Sequence, residues 1–249
     1  DSNEPITGHD MLNDKWIFPK GKAIVINDLL IESIRDSQEV LDDYQSHDSN
    51  QVTVVDVGGN AIIPGLIDSH THMVWGGDRS REVRWKQQGK TYSDIAKMGG
   101  GIVSTVNSTK SLSGNDLFTI AKKRMMKSLR NGTTHIETKS GYGLDTNTEI
   151  KLLNVAKQLT EDNETPSIDS TWLGAHAIPG GHTLESYTDE IISEQLPLVA
   201  ETQLARSADV FCEPGWFGVE ESEEILKAAK SFGMNLRMHI DEFSDGNGG

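Results

Sequence analysis

The chain has 249 residues, with 38 acidic and 23 basic side chains and a formal charge of −15. That surplus, with no Lys/Arg cluster to override it, repels phosphate backbones and anionic lipid and argues against nucleic-acid or membrane partners. A single cysteine, Cys212, excludes an internal disulfide framework and suits a reducing, cytoplasmic compartment. No run approaches the roughly 20 apolar residues of a membrane span, and the acidic start DSNEPITGHD carries no basic-then-apolar export signal.

In chain order, residues 1–61 read as a small β subdomain, the N-terminal part of a β-sandwich. KAIVINDLLIESI holds two β-branched runs around Asn27-Asp28, a hairpin signal. QVTVVDVGG predicts a further strand ending at a glycine pair. The polar stretch between them, RDSQEVLDDYQSHDSNQ, is expected as a surface loop or short helix.

From residue 62 short apolar strands alternate with helical periods. Strands are expected at AIIPGLIDSHTH (61–72), TTHIETKSGYG (133–143), STWLGAHAI (170–178), ADVFCEPGWF (208–217) and NLRMHIDEF (235–243). Helices are expected in SREVRWKQQGKTYSDIAKMG, GNDLFTIAKKRMMKSLRNG, NTEIKLLNVAKQL, LESYTDEIISEQLPLVAET and EESEEILKAAKSFG. Gly99–Gly101 reads as a turn near a site mouth. It is not a phosphate-binding loop, because no Lys-Ser/Thr follows.

Strand–helix alternation means a parallel sheet covered by helices, either an open doubly wound sheet or part of a (β/α)₈ barrel. Polar residues gather at the C-terminal ends of the five strands: His70/His72, Lys139/Tyr142, His176, Glu213 and His239/Glu242. A barrel collects all its strand C-termini around one site, whereas an open sheet spreads them along a crevice. The reading is therefore an α/β fold, a partial TIM-type barrel over 62–249 with about five βα units. Five strands cannot close a barrel, and open edges are a liability, so the chain reads as an incomplete version of a longer protein.

His70 and His72, at i and i+2 of a strand, face the same way and form a half-site for Zn2+ or Fe2+. Two half-exposed histidines at a loop start are the plainer alternative. His239 ends a separate strand about where a third ligand would come from. Three nitrogen ligands leave a position for water, as catalytic metals require. Glu242, three residues on, could then move a proton from that water to a leaving nitrogen; otherwise it is a surface carboxylate. His9, His47, His135 and His182 earn no role, and Cys212 reads as inert core.

PGLIDSHTH, GGDR, GGGIVSTV, KSGYGLD, GAHA, DVFCE and HIDE, in this order and spacing, resemble the imidazolonepropionases, metal-dependent amidohydrolases of histidine degradation. PGLIDSHTH is shared across the superfamily; GGGIVSTV, SGYGL and GAHA are far more specific. The resemblance implies hydrolysis of 4-imidazolone-5-propanoate to N-formimidoyl-L-glutamate with one divalent ion, Zn2+ or Fe2+, held by His70, His72 and His239. It implies that Arg79 binds the substrate carboxylate bidentately, that Tyr142 contacts substrate, and that His176 bonds the ring carbonyl and developing oxyanion. Glu242 would contact substrate and activate water. The resemblance also implies a small imidazolone carboxylate as the partner molecule and a homodimer for full-length members.

The family's fourth ligand, an Asp ending the eighth strand, and a further site histidine after the fifth find no match in these residues. The chain is thus expected to be a C-terminally truncated member. Two alternatives stand beside that reading: a related amidohydrolase that deaminates a cyclic amidine, and an inactive fragment.

Overall fold

A computed structural model describes residues 6–45, 47 and 51–249, in two units, Asp1–Ile63 and Pro64–Gly249. In the first, β1 (Lys22–Asn27) and β2 (Leu30–Asp36) pair antiparallel as a hairpin. The chain reverses at Asp28, whose φ of 53° is one that Asp tolerates better than most residues. The Asp36 side chain accepts the Gln38 N–H at 3.0 Å and starts α1 (Ser37–Tyr44) inside the polar stretch. Residues 46 and 48–50 of that stretch lie outside the described residues.

The strand expected at 51–59 does not form. Gly58 and Gly59 turn the chain with φ of 61° and 77°, and Asp56 accepts the Gly58 N–H at 2.8 Å. β-Branched propensity makes a strand only where a partner supplies the ladder, and no strand among the described residues pairs with this run.

The second unit is built on five parallel strands in sequential order: β3 (Leu66–Thr71), β4 (Thr133–Lys139), β5 (Ser167–Ala175), β6 (Ser207–Cys212) and β7 (Asn235–Ile240). A doubly wound sheet reverses its order at a switch point. An unbroken sequential order is the (β/α)₈ arrangement. Burial agrees: every residue of β6 is buried, and the neighbours Trp172 and Leu173 on β5 are both 0% exposed although they face opposite sides. The edge strands differ, with Ile67 on β3 69% exposed and Leu236 on β7 42% exposed.

The strands are shorter than the apolar runs suggest. β3 starts at Leu66, because Pro64 has no N–H to give a ladder. β7 stops at Ile240, because Asp241 turns the chain at φ 56°. β4, β5 and β6 also end before the polar residues that follow them. Tyr142, His176, Glu213 and Glu242 therefore stand in loops at the C-terminal rim, the functional face of this architecture.

The helix expected across 80–99 is two, α2 (Ser80–Gln87) and α3 (Tyr92–Lys97), divided at Gly89 with φ 77°. The glycine turn before GIVSTV leads into an unexpected helix, α4 (Gly101–Ser111). Its β-branched sequence is a poor helix former, so burial of Thr105, Val106 and Thr109 must hold it. Then follow α5 (Gly114–Arg130), α6 (Thr146–Thr160), α7 (Leu184–Glu190), α8 (Leu196–Thr202) and α9 (Val219–Ser231). A π turn over Ile191–Gln195 joins α7 to α8, where Pro197 has no N–H for the regular ladder. Among the described residues no helix is long and apolar enough to cross a membrane.

Candidate active site

One cavity of about 250 Å³ opens at the C-terminal rim, lined by His72, Arg79, Tyr142, His176, His239 and Glu242 together with Ile102, Phe211, Trp216 and Phe243. Every residue singled out for chemistry reaches it except His70, which meets His239 beside it. The Nε2 atoms of His70 and His239 are 2.9 Å apart and the rings cross at 82°.

Hydrogen bonds to groups that can only accept fix the tautomers of three rings. His239 Nδ1 donates to Asp209 Oδ1 at 3.1 Å, His72 Nδ1 to the Ser140 carbonyl at 2.8 Å, and His176 Nδ1 to the Gly141 carbonyl at 2.8 Å. Each neutral ring therefore turns an unprotonated Nε2 outward. Burial, with repulsion from His176, pushes His72 down to about 3. Burial pushes His176 down to about 4, and burial followed by the nearby His239 lowers His70. His72 and His176 stack at 5.2 Å, with the Tyr142 ring 4.8 Å from His72. For His176 this modifies the expected role. A neutral ring held in this tautomer accepts at Nε2, so it can donate to an oxyanion only as the imidazolium.

Beneath the rim, alternate residues of the strands point into the barrel and form a charged layer rather than the usual aliphatic one. Lys139 Nζ lies 2.9 Å from Glu137 Oε1 and 2.8 Å from Asp209 Oδ2. Arg237 Nη2 lies 3.1 Å from Asp169 Oδ2, and Thr171 donates to Glu137. Three carboxylates, Glu137, Asp169 and Asp209, face two cations, Lys139 and Arg237, a surplus of one negative charge. Burial would raise the Asp209 carboxyl, but the His239 hydrogen bond and Lys139 outweigh it and hold it below the usual range. Among the described residues the buried Glu137 Oε2 has no hydrogen-bond partner.

This surroundings fits a cation. The Nε2 atoms of His70 and His239 converge, His72 turns an unprotonated Nε2 to the same rim, and Asp209 backs one ring as carboxylates back metal-ligating histidines. Among the described residues, though, no three His, Cys, Asp or Glu side chains close into a metal-holding group.

Arg79 stands at the start of α2, where Glu82 takes the Nε and Nη2 edge of its guanidinium at 3.0 and 2.9 Å. Its sequence neighbour Asp78 accepts the Ser80 N–H at 2.6 Å. Glu82 is 4% exposed and also accepts the Gly101 N–H at the start of α4, so it ties the arginine to two helices. Glu242 is placed by Glu213, which is 1% exposed and accepts the backbone N–H of Glu242 and, at 3.2 Å, that of Phe243. Phe211, Trp216 and Phe243 form an aromatic wall, with centroids 5.3 Å apart for Phe211–Trp216 and 5.5 Å for Trp216–Phe243. A flat ring carrying an anion suits such a cavity.

Sequence reasoning passed over Asp209, Glu137, Glu82 and the aromatic wall. A charge inside an otherwise apolar strand was the available signal for Asp209 and Glu137. Elsewhere, His135 is half-buried with Nδ1 2.8 Å from Ser167 Oγ, His182 lies near Glu190, and Cys212 is buried.

No family model matches the chain. It is 41% identical over 237 residues to the imidazolonepropionase of Clostridium tetani (strain Massachusetts / E88), which covers 94% of this chain and 55% of that protein. The match to the imidazolonepropionase of Shewanella sediminis (strain HAW-EB3) is 45% over 189 residues, 75% of this chain and 46% of that one. A probable imidazolonepropionase of Xenopus tropicalis is 37% identical over 233 residues, 92% of this chain and 53% of that one. The chain spans about half the length of the curated relatives it matches. In fold it is similar to a 5-methylcytosine deaminase from Klebsiella pneumoniae liganded with phosphonocytosine, with TM-score 0.56 and 17% identity over 90% of this chain and 49% of the other. It is also similar to an amidohydrolase, with TM-score 0.53 and 18% identity over 88% and 51%. The chain is thus similar in sequence to about half the length of the imidazolonepropionases, and its five parallel strands share the fold of these solved structures.

Proposed function

We propose that this chain carries the substrate-binding and catalytic side chains for hydrolysis of 4-imidazolone-5-propanoate to N-formimidoyl-L-glutamate. The observation that supports it most is the meeting of Arg79, Tyr142, His176 and Glu242 with His72 and His239 around one cavity. Water adds across the ring amide: its oxygen goes to the carbonyl carbon, the C–N bond breaks, and a proton goes to the nitrogen.

Arg79 holds the propanoate while Glu82 keeps the guanidinium aimed, and the ring lies between Tyr142 and the aromatic wall. Glu242 takes the water's proton and passes it to the leaving nitrogen. His176, neutral, accepts from a substrate N–H at Nε2. It supports the oxyanion as the imidazolium only after taking a proton from solvent, which developing negative charge favours, and it returns that proton to solvent when the oxyanion collapses. His70, His72 and His239 would hold one divalent ion, Zn2+ or Fe2+, which when bound supplies a Lewis acid that acidifies water. With this reading go a cytoplasmic protein without nucleic-acid or membrane partners, a homodimer for the full-length form, and a division into a β subdomain over 1–61 and barrel units over 62–249.

The purified chain, supplied with Zn2+ or Fe2+, is offered imidazolonepropanoate and guanine in parallel. Loss of imidazolone absorbance supports the reading. Ammonia release from guanine alone makes the chain a deaminase instead, and a metal-loaded, folded chain that turns over neither is an inactive fragment.

A further inference from the structure

Glu149 sits one turn into α6 and is 0% exposed. Both its oxygens face the turn that follows β4. Oε1 accepts the N–H groups of Gly143 at 2.6 Å and Leu144 at 2.9 Å, and Oε2 accepts that of Gly141 at 2.8 Å. The Ser140 hydroxyl is a fourth donor, and these four bonds oppose a burial effect that raises the carboxyl's pKa. Without this side chain, buried backbone donors would go unmet. Four donors and no acceptor suit a carboxylate; an amide would turn an NH2 against one side of the turn.

The turn's own geometry matches. Gly141 and Leu144 take φ of 95° and 54°, and a Cβ on Gly143 would come within 2.8 Å of Glu149 Oε1. This turn carries Tyr142, whose ring centroid is 5.4 Å from that of His176. The Gly141 carbonyl is also what accepts the His176 Nδ1–H. One residue thus separates the buried carboxylate from the bond that fixes the histidine's tautomer.

We propose that Glu149 is a positioning residue of the site: by clamping the 140–144 turn it fixes the tautomer of His176 and the face that Tyr142 presents to the cavity. Glu149 is not among the cavity's lining residues, so it acts only through the turn. The effect on turnover rests on the function proposed above, whereas the clamp itself is measurable without any substrate.

In the unaltered chain, NMR hydrogen exchange should find the Gly141, Gly143 and Leu144 amides about 10³-fold slower than those of the exposed Gly180–Gly181 turn. Glu149→Gln, isosteric but with a donor in place of an acceptor, should lose that protection on one side. It should also erase the fixed Nδ1–H pattern in the ring-nitrogen spectrum of His176 and lower kcat about 10²-fold, with a smaller rise in KM. Glu161→Gln, on the exposed end of α6, should do none of this. Exchange of the three amides at exposed-loop rates overturns the proposal, and so does a folded Glu149→Gln variant with unchanged His176 signals and kcat. If that variant does not fold, exchange in the unaltered chain decides. An unaltered chain that hydrolyses no imidazolone would remove the proposed function, while exchange and ring-nitrogen spectra would still decide the clamp.

Discussion

His70 and His239 stand on opposite edges of the five-stranded sheet, yet their Nε2 atoms are 2.9 Å apart. Four strand spacings of about 4.8 Å put the edges of a flat sheet about 19 Å apart, beyond the reach of two histidine side chains. The contact therefore requires the sheet to curl until its first and last strands converge at the C-terminal rim. That curl makes a shared ligand possible, and Asp209 behind His239 sets which nitrogen faces it. Asp209→Ala should weaken Zn2+ binding by 10- to 100-fold, read by isothermal titration. Unchanged affinity would mean that His239 does not ligate.

Arg79 is expected to act on substrate affinity rather than on the chemical step. Arg79→Met should raise KM about 10²-fold, since it removes one partner of a charge pair in a partly enclosed site, with little change in metal content. Glu82→Gln should raise KM by less, because it frees the guanidinium edge without deleting the charge. A KM untouched by Arg79→Met would remove the carboxylate-anchor role.

Which of these residues could be read from the sequence follows from how each is placed. His70 and His72 were legible because strand period and motif coincide, and the same holds for the parallel order of strands and helices. Glu242 was legible from its place three residues after His239, and Tyr142 and His176 as polar residues at strand ends. The roles of those two came only through resemblance, since left-handed turns such as Gly141 and Leu144 erase the strand's alternation. Glu82, Asp209 and Glu213 act through bonds to residues 3 to 30 positions away, and no local pattern announces those. Helix α4 was hidden for a related reason: burial rather than propensity holds it. The run at 51–59 failed in the opposite direction, having propensity without a partner.

Stability of the metal-free chain should fall as pH drops from neutrality towards about 4. His176 and His72 have folded pKa values of about 4 and about 3, below the ordinary value near 6.5. Between those limits the unfolded chain binds protons that the folded chain does not, so stability is complete above about 6.5 and is lost as pH falls towards the folded values. The slope is at most about 1.4 kcal/mol per pH unit per histidine. Urea melts from pH 7 to 4 should show it, and His176→Asn should flatten the curve. An equal slope in that variant would assign the acid sensitivity to other groups.

The exposed apolar side chains of β3 and β7 predict self-association. Ile67 is 69% exposed, Leu66 51% and Leu236 42%, and both strands are edges of the sheet among the described residues. An unpaired edge offers a row of N–H and C=O groups to any passing strand, and apolar side chains beside it reward the pairing. The charge of −15 opposes association at low salt and is screened as salt rises. Light scattering should therefore show mass increasing with concentration, and more steeply with added salt. Placing a charge on each edge, with Ile67→Lys and Leu236→Lys together, should return the chain to its monomer mass at the same concentration. If the doubly substituted chain associates as before, the contact lies elsewhere on the surface.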